Sequence, residues 1–305
     1  MLISTIEELK KVVKINATIP FEALEPYLND ALYIYIEPQI GEAIIIVAEG
    51  GQDEQLRSRI CQSLGPLTLA LATDELGVRY GDAGITVDNV QGKRSPANEA
   101  KIAAAKKNLF FRGMQALDRL LDYLSKHPDK YPDYQDHLAT VGKMPCLVTS
   151  AQDYQDVGLV QIDYSTLTYR TLLPTLRQVQ ECDIRIWLKD PLYNKLLGSS
   201  PLTSQERTLK ELCIRYLCNR VAELTTSQTA HAERQNRNPV EYEPLIRPLY
   251  RDTQENGNFF AEQAAFYASS IAQYIREHAE ELGVQLEHAT LNWNTKDKKL
   301  ITSIL

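Results

Sequence analysis

The feature that most constrains the fold of this chain is an internal repeat, because its two halves open on the same pattern. Residues 1–9 read MLISTIEEL, and residues 146–154 read CLVTSAQDY. At an offset of 145 residues, Leu2 meets Leu147, and similar residues meet at the next positions. A repeated sequence unit predicts a repeated structural unit. The chain should therefore contain two related domains.

Both copies carry the pattern S/T-x-x-E/Q behind a short apolar run. Ser4 with Glu7 forms it in the first copy, and Thr149 with Gln152 forms it in the second. In such a capping box, each of the two side chains accepts a hydrogen bond from a free N–H at the start of a helix. The pattern predicts that a helix starts at both places.

Further matches follow in the same order, and their offset rises along the chain. Residues 24–28 match 172–176 at 148, Cys61 matches Cys213 at 152, and the last helices match at 157, with Ile102 on Phe259, Leu109 on Phe266, Phe110 on Tyr267, Met114 on Ile271 and Leu117 on Tyr274. Loop insertions in the second copy would produce this rise, because loops tolerate added residues. The alternative is chance similarity between amphipathic helices.

Charge and length restrict the classes of function. The 305 residues include 33 basic and 40 acidic residues, giving a formal net charge of −7. A dedicated nucleic-acid-binding protein normally carries a basic face, so this class is disfavoured. The length fits two domains of about 150 residues each.

Neither a secretion signal nor a membrane span is predicted. Glu7 and Glu8 interrupt any N-terminal apolar region, and the longest apolar stretch, residues 43–48, is far below the roughly 20 residues that cross a bilayer. Five cysteines, at positions 61, 146, 182, 213 and 218, follow no metal-binding spacing. They predict small buried side chains in a reducing cytosol, and hence a soluble protein made in the cytoplasm.

Helical periodicity dominates the first domain, residues 1–126. Apolar spacings of three and four predict helices after Pro20, from about Asp53, and from Ser95-Pro96 onwards. In the last of these, Leu117 and Leu121 lie in the middle of the apolar stripe. Residues 78–87 change period around a glycine turn and predict a small β-hairpin.

Residues 127–145 contain three prolines and no apolar period, so they are predicted to be a linker. The second domain, residues 146–305, repeats the helical pattern, and Thr203 with Glu206 predicts another capped helix. Residues 227–254 are predicted to form an extended loop rich in arginine and proline, and residues 284–305 a C-terminal tail. The fold class is thus all-α with a small β-hairpin, in two tandem related helical domains.

Motifs that carry chemistry are not found. Gly92-Lys93-Arg94-Ser95 lacks the upstream glycine and the Ser/Thr of a phosphate-binding loop. The five histidines never fall at metal-ligand spacing, and His278 is predicted to be a core residue on the stripe of the last helix. We therefore predict no catalytic, cofactor-binding or metal-binding residue, and no enzyme.

Tyrosine is over-represented, with 16 residues against 6 phenylalanines. Its ring and hydroxyl suit protein–protein interfaces, although core and rim positions would explain the same number. One group is predicted near the domain junction, namely Tyr131, Tyr134, Tyr154, Tyr164 and Tyr169.

The opening ISTIEELKKVVKIN, the segment YIEPQIGEAI and the segment GITVD before a long helix resemble tailed-bacteriophage head–tail connector proteins, also called neck or adaptor proteins. The whole chain is similar to a duplicated form found in phages and prophages of gut anaerobes, in which a segment like LVTSAQDYQDV opens the second copy and LYNKLL follows.

This resemblance implies a structural virion protein of the phage neck. It implies a homo-oligomeric ring, usually of twelve subunits, that joins the portal to the tail and contacts the portal and other neck or tail proteins. DNA in the channel would be contacted passively at most, no membrane is involved, and assembly takes place in the host cytoplasm. Two alternatives stay open: a helical-repeat scaffold of the bacterial cytoplasm, and an enzyme whose catalytic residues are dispersed.

Overall fold

The computed structural model describes residues 1–15, 19–73, 75, 79–81, 84–86, 99–141, 145–234 and 253–284. The chain divides into two compact units, Met1–Lys143 and Met144–Leu305. Both are built mainly of helices, which confirms the mainly helical fold class. The division falls near the end of the segment predicted as a linker.

The first unit contains seven α-helices among its described residues. They are α1 (Ile6–Val12), α2 (Glu25–Ala31), α3 (Glu37–Ile40), α4 (Glu42–Glu49), α5 (Glu54–Ala72), α6 (Glu99–Lys126) and α7 (Pro132–Val141). A 3₁₀ turn at Phe21–Ala23 precedes α2, and a π-helical turn at Leu32–Ile36 joins α2 to α3.

The cap of α1 lies one residue later than predicted. Thr5, not Ser4, has the extended backbone of an N-cap, and its hydroxyl accepts a hydrogen bond from the Glu8 N–H at 3.2 Å. The Glu8 carboxylate in turn accepts from the Ser4 N–H at 2.7 Å. The predicted partner Glu7 does not take this role, because the box needs a carboxylate three residues after the cap.

The run from α2 to α3 buries the apolar stripe that its spacing predicts, including Leu24, Leu28, Ile36 and Ile40. The run ends at Gly41, whose φ of +83° is a left-handed conformation that favours glycine. Beyond it, α4 leaves at 113° to the preceding helix. Gly41 therefore turns the chain here, while Pro38 lies in the first turn of α3.

Helix α5 is the core element of the first unit, and its central residues from Ser63 to Ala70 are all buried. Its neighbours approach closely because two contact residues are glycines. A Cβ on Gly65 would lie 2.5 Å from Val12 Cγ2 of α1, and a Cβ on Gly113 of α6 would lie 2.6 Å from Leu67 Cγ. Each glycine thus allows a helix to pack on α5.

Helix α6 confirms the predicted mid-stripe positions, since Leu117 and Leu121 are both fully buried. The stripe is wrong at its start, because Ile102 is 38% exposed. Two three-residue strands, β1 (Arg79–Gly81) and β2 (Gly84–Thr86), pair antiparallel before α6. Residues 82–83 between them lie outside the described residues, so the complete hairpin stays a prediction.

The predicted linker 127–145 is wrong over most of its length. Pro132 begins α7, where a proline at the first helical position loses no hydrogen bond. Tyr131 and Tyr134 are buried at 2% and 0% exposure, so this segment belongs to the core of the first unit.

The second unit contains four α-helices among its described residues: α8 (Thr166–Val179), α9 (Arg185–Leu197), α10 (Ser204–Arg234) and α11 (Thr253–Glu277). π-helical turns lie at Asp153–Val157 and Gln180–Ile184. The predicted box of α10 is confirmed, because the Glu206 N–H donates to Thr203 Oγ1 at 3.2 Å and the Thr203 N–H donates to Glu206 Oε2 at 2.9 Å.

The start of the second unit shows the same one-residue shift of the cap as α1. The Asp153 N–H donates to Ser150 Oγ at 3.0 Å, and the Thr149 N–H donates to Asp153 Oδ2 at 3.1 Å. The predicted pair of Thr149 with Gln152 is therefore wrong, and Ser150 with Asp153 forms the cap.

Helix α9 is broken at Lys189, one residue before Asp190-Pro191. This lysine has φ +58° and ψ 160° inside α9, a region occupied almost only by glycine. The predicted loop 227–254 is wrong at both ends, because α10 continues to Arg234 and α11 begins at Thr253. Residues 235–252 and the tail from 285 to 305 lie outside the described residues.

Leu117→Ala should lower the free energy of unfolding by about 2–5 kcal/mol, the usual cost of emptying a buried leucine site. Urea denaturation followed by circular dichroism measures it. Ile102→Ala on the same helix is the control, and we expect its effect to stay below about 0.5 kcal/mol. Equal effects of the two substitutions would contradict the assigned burial of α6.

Lys189→Gly should stabilise the protein by about 1 kcal/mol, because relief of backbone strain exceeds the entropy that glycine adds to the unfolded chain. Gly41→Ala should destabilise it by about 1–3 kcal/mol, since alanine is strained at φ +83° and its Cβ would lie 3.1 Å from the His137 ring. Thermal denaturation compares both. A destabilising Lys189→Gly would refute the strain at this break.

Candidate interaction surfaces

The sequence predicts no catalytic, cofactor-binding or metal-binding residue. Within the part of the chain that the structure describes, no group of three or more His, Cys, Asp or Glu residues could hold a metal ion. Several ionisable side chains do meet, and each of these clusters lies where a helix begins or bends. Their geometry shows what they do for the fold.

One cluster surrounds Asp53, the N-cap of α5. Its carboxylate accepts hydrogen bonds from the Leu56 N–H at 3.0 Å and from the Tyr131 hydroxyl at 2.7 Å, and it pairs with Lys130 at 2.6 Å. Desolvation would raise the pKa of Asp53, but these hydrogen bonds together outweigh it and lower the pKa from 3.8 to about 2. The carboxylate thus stays charged and fixes the start of α5 against the segment before α7.

The second unit uses a similar arrangement at the start of α10. The Glu206 carboxylate is buried, caps the helix, and pairs with Lys195 at 2.5 Å. The hydrogen bond from Lys195, followed by that from the Thr203 N–H, lowers the pKa of Glu206. This ion pair connects the last turn of α9 to the first turn of α10.

A third cluster lies at the π turn between α8 and α9. The buried Gln180 side chain accepts from the Leu147 N–H at 2.7 Å and donates to the Tyr193 hydroxyl at 2.8 Å. Tyr193 donates to Glu181 at 2.5 Å, and Arg185 pairs with Glu181 at 2.9 Å. The cluster holds both sides of the break at Lys189 in place.

The cysteines follow the prediction only in part. Cys213 and Cys218 are fully buried, and burial raises the pKa of Cys213 to about 12. Cys61 and Cys146 are half-buried, and Cys182 is exposed. All five are free thiols. The prediction of small buried side chains is therefore wrong for Cys182.

Most tyrosines of the predicted junction group are core residues of their own units. Tyr131, Tyr134, Tyr154 and Tyr169 are buried, whereas Tyr164 is exposed. His278 is half-buried, and its ring centroid lies 4.4 Å from that of Tyr274. Its Nδ1 bonds Glu281 Oε2 at 2.5 Å. The histidine predicted to be a core residue therefore lies at the rim of the core. The interface role of tyrosine that composition suggested thus rests on other positions.

The first unit exposes large apolar side chains on two helical segments. On the π turn, Tyr33 is 62% exposed and Ile34 is 58% exposed, while α4 exposes Ile46 and Val47. Neighbouring exposed apolar groups of this kind are typical of surfaces that bind a partner.

The second unit exposes a comparable row on α11. Phe259 and Phe266 lie seven residues apart, on one side of the helix, and are 54% and 61% exposed. Ile186 is exposed on α9.

The loop from Gly158 to Ser165 also projects two apolar side chains. Leu159 and Tyr164 are exposed, and both have positive φ, as does Asp163. The Gln155 side chain holds this backbone, because its Oε1 accepts from the N–H groups of Ile162 and Tyr164 at 3.1 and 3.0 Å. A strained loop fixed in this way is typical of a functional surface.

Comparison with known proteins gives one match. A family of unknown function (DUF6712) matches residues 24–140, which lie inside the first unit. No curated protein and no solved structure matches the chain. Among the described helices none alone is long and apolar enough to cross a membrane, although the bent pair at 25–40 and 42–49 passes by length and composition.

Asp53→Asn should destabilise the protein by about 1 kcal/mol at neutral pH, because asparagine keeps the N-cap acceptor but loses the ion pair. The folded-state pKa of Asp53 is depressed, so its contribution is present above 3.8 and is lost as the pH falls towards about 2. Chemical denaturation across this range should therefore show the two proteins converging in acid. A difference that is constant with pH would contradict the role of the charge.

Proposed function

We propose that this protein is a non-enzymatic structural subunit of a tailed-phage neck. In this proposal, two tandem copies of one helical unit form each subunit, and identical subunits form a ring that joins the portal and head to the tail. The observation that carries the proposal is the repetition of one set of backbone features in both units, because the resemblance to duplicated connectors rests on the same repeat.

Three backbone features support duplication at one common offset. The π turns at 32–36 and 180–184 are 148 residues apart. Gly41 and Lys189, which have positive φ at the break, are also 148 apart, and so are Gly50 and Gly198, which end the next helix. The matched segments 24–28 and 172–176 share this offset. Chance similarity of amphipathic stripes does not account for unusual backbone at matching positions.

The N-terminal caps of the two units and the long helices α5 and α10 extend the correspondence. The caps at Thr5 and Ser150 differ by 145 and have the same reciprocal hydrogen bonds. On the long helices α5 and α10, buried positions correspond at an offset of 153 residues. This offset is one residue larger than the predicted offset of 152 between Cys61 and Cys213. The pairs are Leu56 with Leu209, Ile60 with Cys213, Leu64 with Leu217 and Thr68 with Val221.

A pair of compensating residues supports the same alignment. In the first unit, a Cβ on Gly65 of α5 would lie in ordinary contact with Val13 Cγ1, at 3.4 Å, and only 2.5 Å from Val12 Cγ2. At offsets of 145 and 153, the second unit has Gly158 and Cys218, and a Cβ on Gly158 would lie 2.8 Å from Cys218 Cβ. Each contact thus includes one glycine. In the first unit the glycine lies on the long helix α5, whereas in the second unit it lies at the position that corresponds to Val13, and the long helix α10 carries Cys218.

Exposed apolar groups support a role in assembly. Ile102 of α6 and Phe259 of α11 are 157 residues apart, and both are exposed. Single exposed apolar residues are common in soluble proteins, but rows such as Phe259 with Phe266 mark partner surfaces. Under this proposal the arginine-rich segment 227–254 and the tail 284–305 supply further contacts, and of these residues 235–252 and 285–305 lie outside the described residues.

The proposal places the protein in the virion neck, in contact with the portal and other neck or tail proteins. The net charge of −7 agrees with a channel wall that DNA passes without binding, because neutralised phosphates would produce tight, salt-dependent binding.

Negative-stain electron microscopy and native mass spectrometry of the full chain, alone and with the portal protein encoded nearby, test the proposal. We expect rings of a single subunit number, docked on the portal when it is present. A protein that stays monomeric even with its portal would overturn the neck proposal and favour the cytoplasmic scaffold.

A further inference from the structure

The charge of the first unit is distributed unevenly along its sequence. Between Lys14 and Arg57 there is no lysine or arginine, but there are eight acidic residues: Glu22, Glu25, Asp30, Glu37, Glu42, Glu49, Asp53 and Glu54. Part of the chain's net negative charge therefore lies on the helices from α2 to α4.

Several of these carboxylates lie beside the exposed apolar residues of the π turn. Asp30, Tyr33, Ile34, Glu37 and Pro38 follow at spacings of three and four, which places them on one side of the helical run. The other side, with Leu28 and Ile36, is buried. We call the outward side, residues 30, 33, 34, 37 and 38, the anionic face.

Among the described residues of the first unit no ion pair reaches the anionic face, although the His137 ring bonds the Pro38 carbonyl at 3.1 Å. None of Glu22, Glu25, Asp30, Glu37 and Glu42 forms an ion pair with a residue that the structure describes. Exposed aromatic and aliphatic groups between uncompensated carboxylates fit a partner that supplies positive charge around an apolar centre.

A basic surface of matching character lies at the end of α1. Lys11 and Lys14 are exposed there, and Arg112 of α6 is held beside them because its guanidinium donates to the Val12 carbonyl at 2.7 Å. We call Lys11, Lys14 and Arg112 the basic end.

The segments that carry the two surfaces contact α6 at different sides of this helix. Phe110 contacts Tyr35 of the π turn edge-on, with ring centroids 5.3 Å apart. Arg112 is two residues further along α6, which is about 200° around a helix of 3.6 residues per turn, and it reaches α1 instead. Two different surfaces that complement each other produce a head-to-tail contact between copies, which closes into a ring when the rotation allows.

We infer that the anionic face of one subunit binds the basic end of a second copy of this chain. The inference rests on the proposed ring and identifies the surfaces by which its subunits meet. Tyr33 and Ile34 form the apolar centre of the contact, and Asp30 and Glu37 face Lys11, Lys14 and Arg112 of the neighbour.

Two charge-reversal variants of the full chain test this contact. One carries Asp30→Lys and Glu37→Lys, and the other carries Lys11→Glu and Lys14→Glu. Each variant alone presents like charges at the contact, so we expect self-association to weaken by roughly tenfold or more. Asp122→Lys with Asp129→Lys is the matched control, since both are exposed acids of the first unit that do not belong to the anionic face.

Mixing the two variants should restore assembly, because the reversed face of one complements the reversed end of the other, and the remaining contacts join an unchanged face to an unchanged end. Sedimentation velocity measures the assembled fraction, and circular dichroism checks that each variant is folded. A misfolded variant would not be rescued by mixing, so the combined chain with all four reversals provides a second route to restored association.

The outcomes separate this inference from the proposed function. Rings that form from wild-type protein but are unaffected by either reversal would overturn the contact and leave the neck proposal standing. Loss of assembly in both variants without rescue, either by mixing or in the combined chain, would also overturn the pairing of these two surfaces. Wild-type protein that remains monomeric with its portal would overturn both.

Discussion

The first unit depends on close helix packing around α5. Gly65 lets α1 approach, and Gly113 lets α6 approach while the Ser63 hydroxyl donates to its carbonyl at 2.9 Å. Interiors packed at this density respond to a single added methyl group. The buried length of α5 therefore fixes the positions of the surrounding helices, and Asp53 fixes where α5 begins.

Much of the helical core could be predicted because apolar spacing reports which side of a helix is buried. Leu117, Leu121 and the Thr203 cap follow from spacing and local hydrogen bonding alone. Lys189 could not be predicted, because a lysine carries no signal for positive φ and only the surrounding contacts impose it. Pro132 led to the wrong prediction of a linker, because a proline that ends one element can also begin a helix.

The candidate surfaces were harder to predict than the core. An apolar stripe shows which side a helix could bury, but not whether another element covers it. Leu117 and Ile102 share the stripe of α6 and differ in burial for this reason. For the anionic face, spacing predicts the buried side of the run that packs on α5, but it does not show that Tyr33 and Ile34 on the other side stay uncovered within the unit.

The glycine that changes sides between the two units has a consequence for folding. Tandem copies of one unit risk exchanging equivalent helices while they fold. If α10 packed on α1, Cys218 would stand in place of Gly65, where a Cβ would lie only 2.5 Å from Val12 Cγ2; if α5 packed beneath Gly158, two glycines would face each other and leave a void. Under the proposed duplication, this difference would disfavour an exchange of α5 and α10 between the two units during folding.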